Sequence, residues 1–353
     1  MVRCFLVIEN GTVLEGVSFG HVGAADGEIV FTTSMSCYQE SITDPAYKGQ
    51  ILVSAFPMIG NYGVNDNYEL SDSVQISALV VREYCREPSD MYGGRTLDEY
   101  MKENRIPGIE GIDTRDVVAM IRNNGTMNAS VIFDDKKIKD EIKRLKGIRR
   151  NVNISSVSVK EIKKIGNGKK ITIGLIDCGT GRDLIKDLSE RYNLIIFPYD
   201  TKAKDILSSG VKSLIISNGP ADPNDNDVLV RTVKELSSSI PLAGIAFGSQ
   251  IIAKAFGCKI MKLKFGHHGP NQPVKHGTRA YITDQNHMYC VDPSSAKGTD
   301  IIIDQFNVND GTPEGFSHNS LPIFGIQYYP ISHRYEKDSF FYNALEKITE
   351  VGK

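Results

Sequence analysis

The heptad Gly244-Ile245-Ala246-Phe247-Gly248-Ser249-Gln250 is spaced like a nucleophile elbow: a strand runs into a tight turn and a helix leaves it. Glycines two before and two after the apex let backbone and side chains crowd that turn. Such a turn exists to expose a reactive side chain, but here the apex is alanine, whose methyl group attacks nothing. Taken alone, the heptad also fits a plain strand-to-helix turn in a parallel α/β sheet. Other reactive groups are dispersed. The cysteines at 4, 37, 85, 178, 258 and 290 show no C-x-x-C spacing, which predicts reduced thiols in a cytoplasmic protein and no zinc site. His267-His268 reads first as a solvated or hydrogen-bonded pair rather than as metal ligands.

The elements that would position these groups are legible from hydrophobic pattern. Pro241 to Ile245 is a short apolar run fit for a buried strand, and Ser249 to Phe256 spaces its apolar residues helically up to Gly257. Upstream, Ile171 to Ile176, Leu194 to Phe197 and Ser213 to Ile216 predict strands, with helices from Leu184, near Ile206 and from Val228 between them. Strands alternating with helices predict a doubly wound parallel sheet, in which ligands sit beyond the carboxyl ends of the strands. The earlier part differs. Thr12 to Leu14, Glu28 to Phe31, Gln50 to Val53 and Ile76 to Val81 are β-rich runs set between turn residues, followed by helical patterns at Leu97 to Lys102 and Asp113 to Arg122. Asp113 or Thr114 is the expected N-cap of the second helix.

With 353 residues the chain is comfortable as two domains. Residues 1–150 form an N-terminal β-rich α/β domain on this reading, 151–169 a charged, Ser- and Gly-rich linker, and 170–353 the parallel-sheet domain. A net charge of −2 of mixed sign argues against nucleic acid or an anionic membrane as the main partner. The opening apolar stretch from Cys4 to Ile8 is too short for a signal sequence and reads as a first strand, and no run is long enough to span a bilayer.

Taken in order, several stretches resemble the small-subunit family of carbamoyl-phosphate synthases, whose C-terminal half is a class I glutamine amidotransferase domain. They are Thr33 to Tyr47, Phe56 to Asn65 and Gly108 to Arg115, then Ser217 to Pro223, the elbow with Lys264 to Asn271, Gln285-Asn286-His287, and Gly325 to Pro330. The N-terminal stretches discriminate, because the amidotransferase pattern alone fits many biosynthetic enzymes.

The resemblance implies a cysteine thiolate at the elbow, a histidine that shuttles the proton and a glutamate that orients it. Those family positions fall on Ala246, Tyr329 and Ile331, so no catalytic side chain is intact. Positions that hold the glutamine map onto Ala46, Gly219, Ala221, Phe247, Gln250, Asn286, Met288 and Tyr289. Alanine for serine at 46 removes a hydroxyl, and methionine for glycine at 288 adds a side chain where backbone would approach the ligand. Gly219 and Phe247 would act through backbone N–H groups, which substitution leaves in place. Asp177 to Asp183 and Cys37 depart mildly from the family pattern.

Three readings of function follow. The first is a subunit that partners the large, ATP-using synthetase subunit, binds glutamine weakly or not at all, and serves a structural or regulatory role in an ammonia-using heteromeric ligase. This reading requires no cofactor or metal, and leaves pyrimidine and arginine synthesis both open as destinations. A second is an active amidotransferase with a displaced nucleophile at Ser249, Cys258 or Cys290. Ser249 should point away from the apex, and Cys258 should lie ~18 Å along a helix. His333 has no thiol nearby in sequence to activate. A third is a free-standing, non-catalytic binding protein.

Overall fold

A computed structural model describes residues 2–331 and 340–351, so His333 lies outside the described residues. The chain divides into two compact units, Met1–Asn151 and Val152–Lys353.

In the first unit, β-branched runs punctuated by Gly, Asn and Asp form β1 (Arg3–Ile8), β2 (Val13–Gly20), β3 (Ala25–Thr32), β4 (Gln50–Ser54), β5 (Met58–Ile59), β6 (Ala78–Val80), β7 (Glu83–Tyr84), β8 (Pro107–Glu110) and β9 (Met127–Ile132). Seven of them close into a barrel in the order β1-β2-β8-β6-β4-β3-β9, which leaves no open sheet edge in that set. The helices are α1 (Tyr38–Thr43), α2 (Leu97–Glu103), α3 (Thr114–Asn124) and α4 (Ile138–Lys146). α2 starts at a capping box in which Thr96 and Glu99 satisfy each other's backbone N–H groups. α3 starts where its sequence predicts, with the Asp113 carboxylate accepting from the N–H groups of Arg115 and Asp116.

The second unit carries β10 (Lys163–Ile165), β11 (Thr172–Asp177), α5 (Arg182–Arg191), β12 (Asn193–Pro198), α6 (Ala203–Ser208), β13 (Leu214–Ile216), α7 (Asp227–Leu236), β14 (Leu242–Ile245), α8 (Phe247–Ala255), β15 (Ile260–His276), β16 (Arg279–Val291), β17 (Ile301–Asn307), β18 (Pro313–His318), β19 (Ile323–Ile326) and α9 (Phe340–Val351). They form one sheet in the order β10-β12-β11-β13-β14-β19-β18-β17-β15-β16. From β12 to β19 the pairing is parallel, and these strands read as continuous apolar runs because both faces are covered. One face packs Ile206, Leu229, Val233, Ile251 and Ile252 from α6, α7 and α8. The opposite face packs Leu184 and Leu188 from α5 with Phe341, Tyr342 and Leu345 from α9. Helices on both faces make the doubly wound arrangement expected of a class I glutamine amidotransferase fold.

Two features differ from the expectation. The sheet continues past β19 as four antiparallel strands, which the alternating pattern of the first strands did not announce. The stretch read as a linker also contains β10, paired antiparallel with β12. Its Lys163 and Lys164 are exposed, and lysines suit a sheet edge because they discourage pairing with another chain. The same lysines hide the strand from a reading based on apolar runs. Among the described residues no helix is long and apolar enough to cross a membrane.

Candidate functional site

The turn between β14 and α8 has the elbow geometry. Ala246 sits at φ 46° and ψ −109°, a conformation that costs a non-glycine residue on the order of 1–3 kcal/mol. Its backbone is held from both sides: the N–H donates to Ile326 O at 2.8 Å, and the carbonyl accepts from Gln250 N at 3.2 Å and Ser249 Oγ at 2.7 Å. The flanking glycines are there for space. A Cβ on Gly244 would lie 2.6 Å from Ser249 Cα, and one on Gly248 would lie 2.0 Å from Ile216 O. Helix α8 therefore packs backbone to backbone on β13 and β14.

Beside the elbow, the loop after β13 is stitched to both neighbours. Ser217 O accepts from Gly248 N at 3.0 Å, and Ser217 Oγ accepts from Cys178 N at 2.9 Å. Two residues on is Gly219, where a Cβ would lie 2.3 Å from Cys178 O. Ala221 and Phe247 are buried. Gln250, on the first turn of α8, donates through Nε2 to Tyr289 O at 2.6 Å and so ties the helix to β16, which also carries Asn286 and Met288. Asn286 Oδ1 lies 2.8 Å from His268 Nδ1. The Met288 thioether is turned onto His268, 3.4 Å from its Nε2, and fills the space above Gly266.

Ala246 belongs to one apolar cluster with Ile245, Ile326 and Tyr328, against which Tyr329 and Ile331 pack. The three positions read from the sequence as a substituted triad thus all border the same large cluster. Tyr329 donates through its hydroxyl to Asp183 Oδ1 at 2.7 Å, and its N–H donates to Asp284 O at 2.8 Å. Ala46 belongs to the N-terminal unit, where it is buried in the 3-10 turn Pro45–Tyr47 with its N–H on Asp44 Oδ1 at 2.9 Å.

The displaced nucleophiles considered above are placed unfavourably. Ser249 is buried and its hydroxyl is spent on Ala246 O. Cys258 and Cys290 are buried, and burial pushes the first thiol up and the second to about 12, which suppresses the thiolate. Cys178, at the end of β11, is inaccessible and shifted the same way by burial.

Behind β16 lies a buried polar network that the sequence did not reveal. His267 Nε2 is 2.9 Å from Asp310 Oδ2, and its Nδ1 is 2.9 Å from Gln285 Oε1 and 3.2 Å from Glu314 Oε1. Glu314 also accepts from Asn307 Nδ2 and Gln285 Nε2, each at 2.9 Å. Burial alone would lower the His267 pKa, but hydrogen bonds to Asp310 and Glu314 outweigh it and hold the ring up at about 9. Asp310, despite partial burial, is held below the ordinary carboxylate range by His267 and by the Thr312 N–H and hydroxyl. Burial and the neighbouring histidines push His287 well down, and both its nitrogens face carbonyl oxygens, Tyr289 O at 2.9 Å from Nδ1 and Gln285 Oε1 at 3.0 Å from Nε2, so a neutral ring donates to one of the two. His267, His287 and Glu314 offer ligand atoms within 4.8 Å of one another, but those atoms are engaged in these hydrogen bonds. The pair His267-His268 is accordingly a hydrogen-bonded, buried pair.

Residues 6–131 match the model of the carbamoyl-phosphate synthase small chain, CPSase domain, and residues 174–348 match that of class-I glutamine amidotransferases. The chain is 39% identical over 352 residues to the carbamoyl phosphate synthase small chain of Archaeoglobus fulgidus, covering 96% of each. It is 40% identical to the small chain of Methanosarcina mazei, covering 99% of this chain and all of that one, and 39% identical to that of Clostridium perfringens, covering 95% of each. The chain belongs to the carbamoyl-phosphate synthase small-chain family. As a member it pairs a small-chain domain with an amidotransferase domain, and the elbow, the Ser217 loop and β16 all fall within the amidotransferase match.

Proposed function

We propose that this small chain has lost glutaminase chemistry and serves as the structural or regulatory partner of a large, ATP-using synthetase subunit that draws on free ammonia. The observation that carries the reading is the apex itself: a strained, doubly anchored elbow presents a methyl group. In the family arrangement a thiolate attacks the glutamine carboxamide and a histidine carries the proton to departing ammonia. Ala246 supplies no nucleophile, Tyr329 is a phenol hydrogen-bonded to Asp183, and Ile331 has nothing with which to orient a base. Losing the nucleophile alone costs several orders of magnitude in rate. Ala46 lacks the hydroxyl expected of the glutamine site, and Met288 carries a side chain where the family pattern has glycine, so glutamine binding is weak or blocked as well.

The displaced-nucleophile reading is tested with a glutamine-analogue electrophile followed by peptide mapping. The expected result is no modification at Ser249, Cys258 or Cys290, with only slow, glutamine-insensitive background at the exposed Cys37 and the half-buried Cys85. Stoichiometric labelling of Ser249, Cys258 or Cys290 that glutamine protects would overturn the proposal.

A further inference from the structure

The hydrogen bond between Tyr329 and Asp183 joins two segments whose strands are not neighbours. Asp183 opens α5, just after β11, and Tyr329 follows β19. In the sheet β11 and β19 are separated by β13 and β14, three strand spacings or roughly 14 Å. A bond between their downstream segments therefore bridges the gap that β13 and β14 fill, on the carboxyl-end side of the sheet, and β14 leads straight into Ala246. Ligands of doubly wound sheets occupy that edge. The crossing lies on the face of the sheet where Ala246, Tyr328, Tyr329 and the α5 residues Leu184 and Leu188 share one apolar cluster.

The crossing is also built into the loop it lands on. A Cβ on Gly181 would lie 2.6 Å from the Tyr329 hydroxyl and 2.5 Å from Asp183 Oδ1. Gly181 has φ −67° and ψ 145°, which any residue adopts, so its backbone does not require glycine, and a Cβ there would meet only the two bonded side-chain ends, Asp183 Oδ1 and the Tyr329 hydroxyl. The main chain of Tyr329 is pinned independently by its N–H on Asp284 O.

We propose that Gly181, Asp183 and Tyr329 form a strap across the mouth of the amidotransferase crevice, and that Tyr329 is the residue deciding what reaches the apex at 246. This extends the loss-of-glutaminase reading from missing catalytic groups to a closed entrance, and it rests on that reading for its biological sense. The strap excludes amino-acid-sized carboxamides.

The test uses neither glutamine nor synthase activity, so its outcome is separable from that of the loss-of-glutaminase reading. An Ala246→Cys chain supplies a thiol at the apex, and its alkylation by iodoacetamide is followed by peptide mapping. Adding Tyr329→Ala, or Asp183→Ala as a second opening variant, is expected to raise the alkylation rate at 246 about tenfold or more, while the buried Cys178, Cys258 and Cys290 stay protected as proof of an intact fold. Unchanged rates at 246 in both would overturn the strap. A thermal-unfolding cycle provides the second reading. Tyr329→Phe is expected to lower the melting temperature by roughly 2–4 °C. Gly181→Ala is expected to cost more in the presence of the tyrosine hydroxyl than with Tyr329→Phe. Equal costs in both backgrounds would contradict the packing on which the strap depends.

Discussion

Ala246 holds the elbow's strained backbone conformation while presenting only a methyl group. The positive φ is held by Ile326, Ser249 and Gln250 and by two glycines that admit close backbone contact. Glycine relaxes such strain at a smaller entropic cost, so Ala246→Gly is expected to raise unfolding free energy by about 1 kcal/mol, measured in denaturant. Gly248→Ala should do the opposite and cost roughly 3 kcal/mol or more, because its methyl would drive into Ile216 O. At this scale the turn was legible: the glycine spacing announces it, and the structure has it with Ala246 at the apex. Asp183 was legible only as a departure from a loop pattern. Its partner Tyr329 is 146 residues away, and a hydrogen bond of that separation has no local signature.

Between residues and fold, the antiparallel strands β15 to β18 carry the part of the site that local pattern did not disclose. Their alternation is interrupted by glycines, prolines and bulges, as between Lys262 and His267, and their inward positions hold polar residues such as Gln285, Asn307 and Glu314. The polar residues satisfy one another in the His267 network, and through Gln250 and Tyr289 that strand set is tied to the elbow helix. The network makes stability depend on pH in a definite direction. His267 has its folded pKa raised from 6.5 to about 9, so its contribution is complete below pH 6.5 and is lost as pH climbs through 9. That contribution is on the order of 3 kcal/mol at most. His287, with its folded pKa lowered, acts the other way: an unfolded chain binds a proton below pH 6.5 that the folded chain refuses, so stability falls on acidification. Chemical unfolding followed from pH 6.5 to 9.5 should show a decline for the native chain that His267→Gln lacks. A parallel decline in both would assign the loss to other groups.

As a whole, the chain matches both family domains, with apolar strands and turn glycines in place, while Ala246, Tyr329, Ile331, Met288 and, in the N-terminal unit, Ala46 depart from the family pattern read in the sequence. Domain order and the parallel strands were legible because periodicity and length report them directly. β10 was not, because its lysines disguise it. The proposed loss of glutaminase on a maintained scaffold points to a partner that still needs the scaffold. On the proposed reading, restoring the catalytic residues with Ala246→Cys, Tyr329→His and Ile331→Glu is expected to recover little glutaminase, since Met288 keeps a side chain where the family pattern has glycine. Ammonia release assayed on that variant checks this. The most direct measurement combines the purified chain with its large synthetase subunit and compares carbamoyl phosphate synthesis from glutamine with synthesis from an ammonium salt. Synthesis from ammonium with only background from glutamine is the predicted result, and glutamine-supported synthesis near the ammonium rate would contradict it.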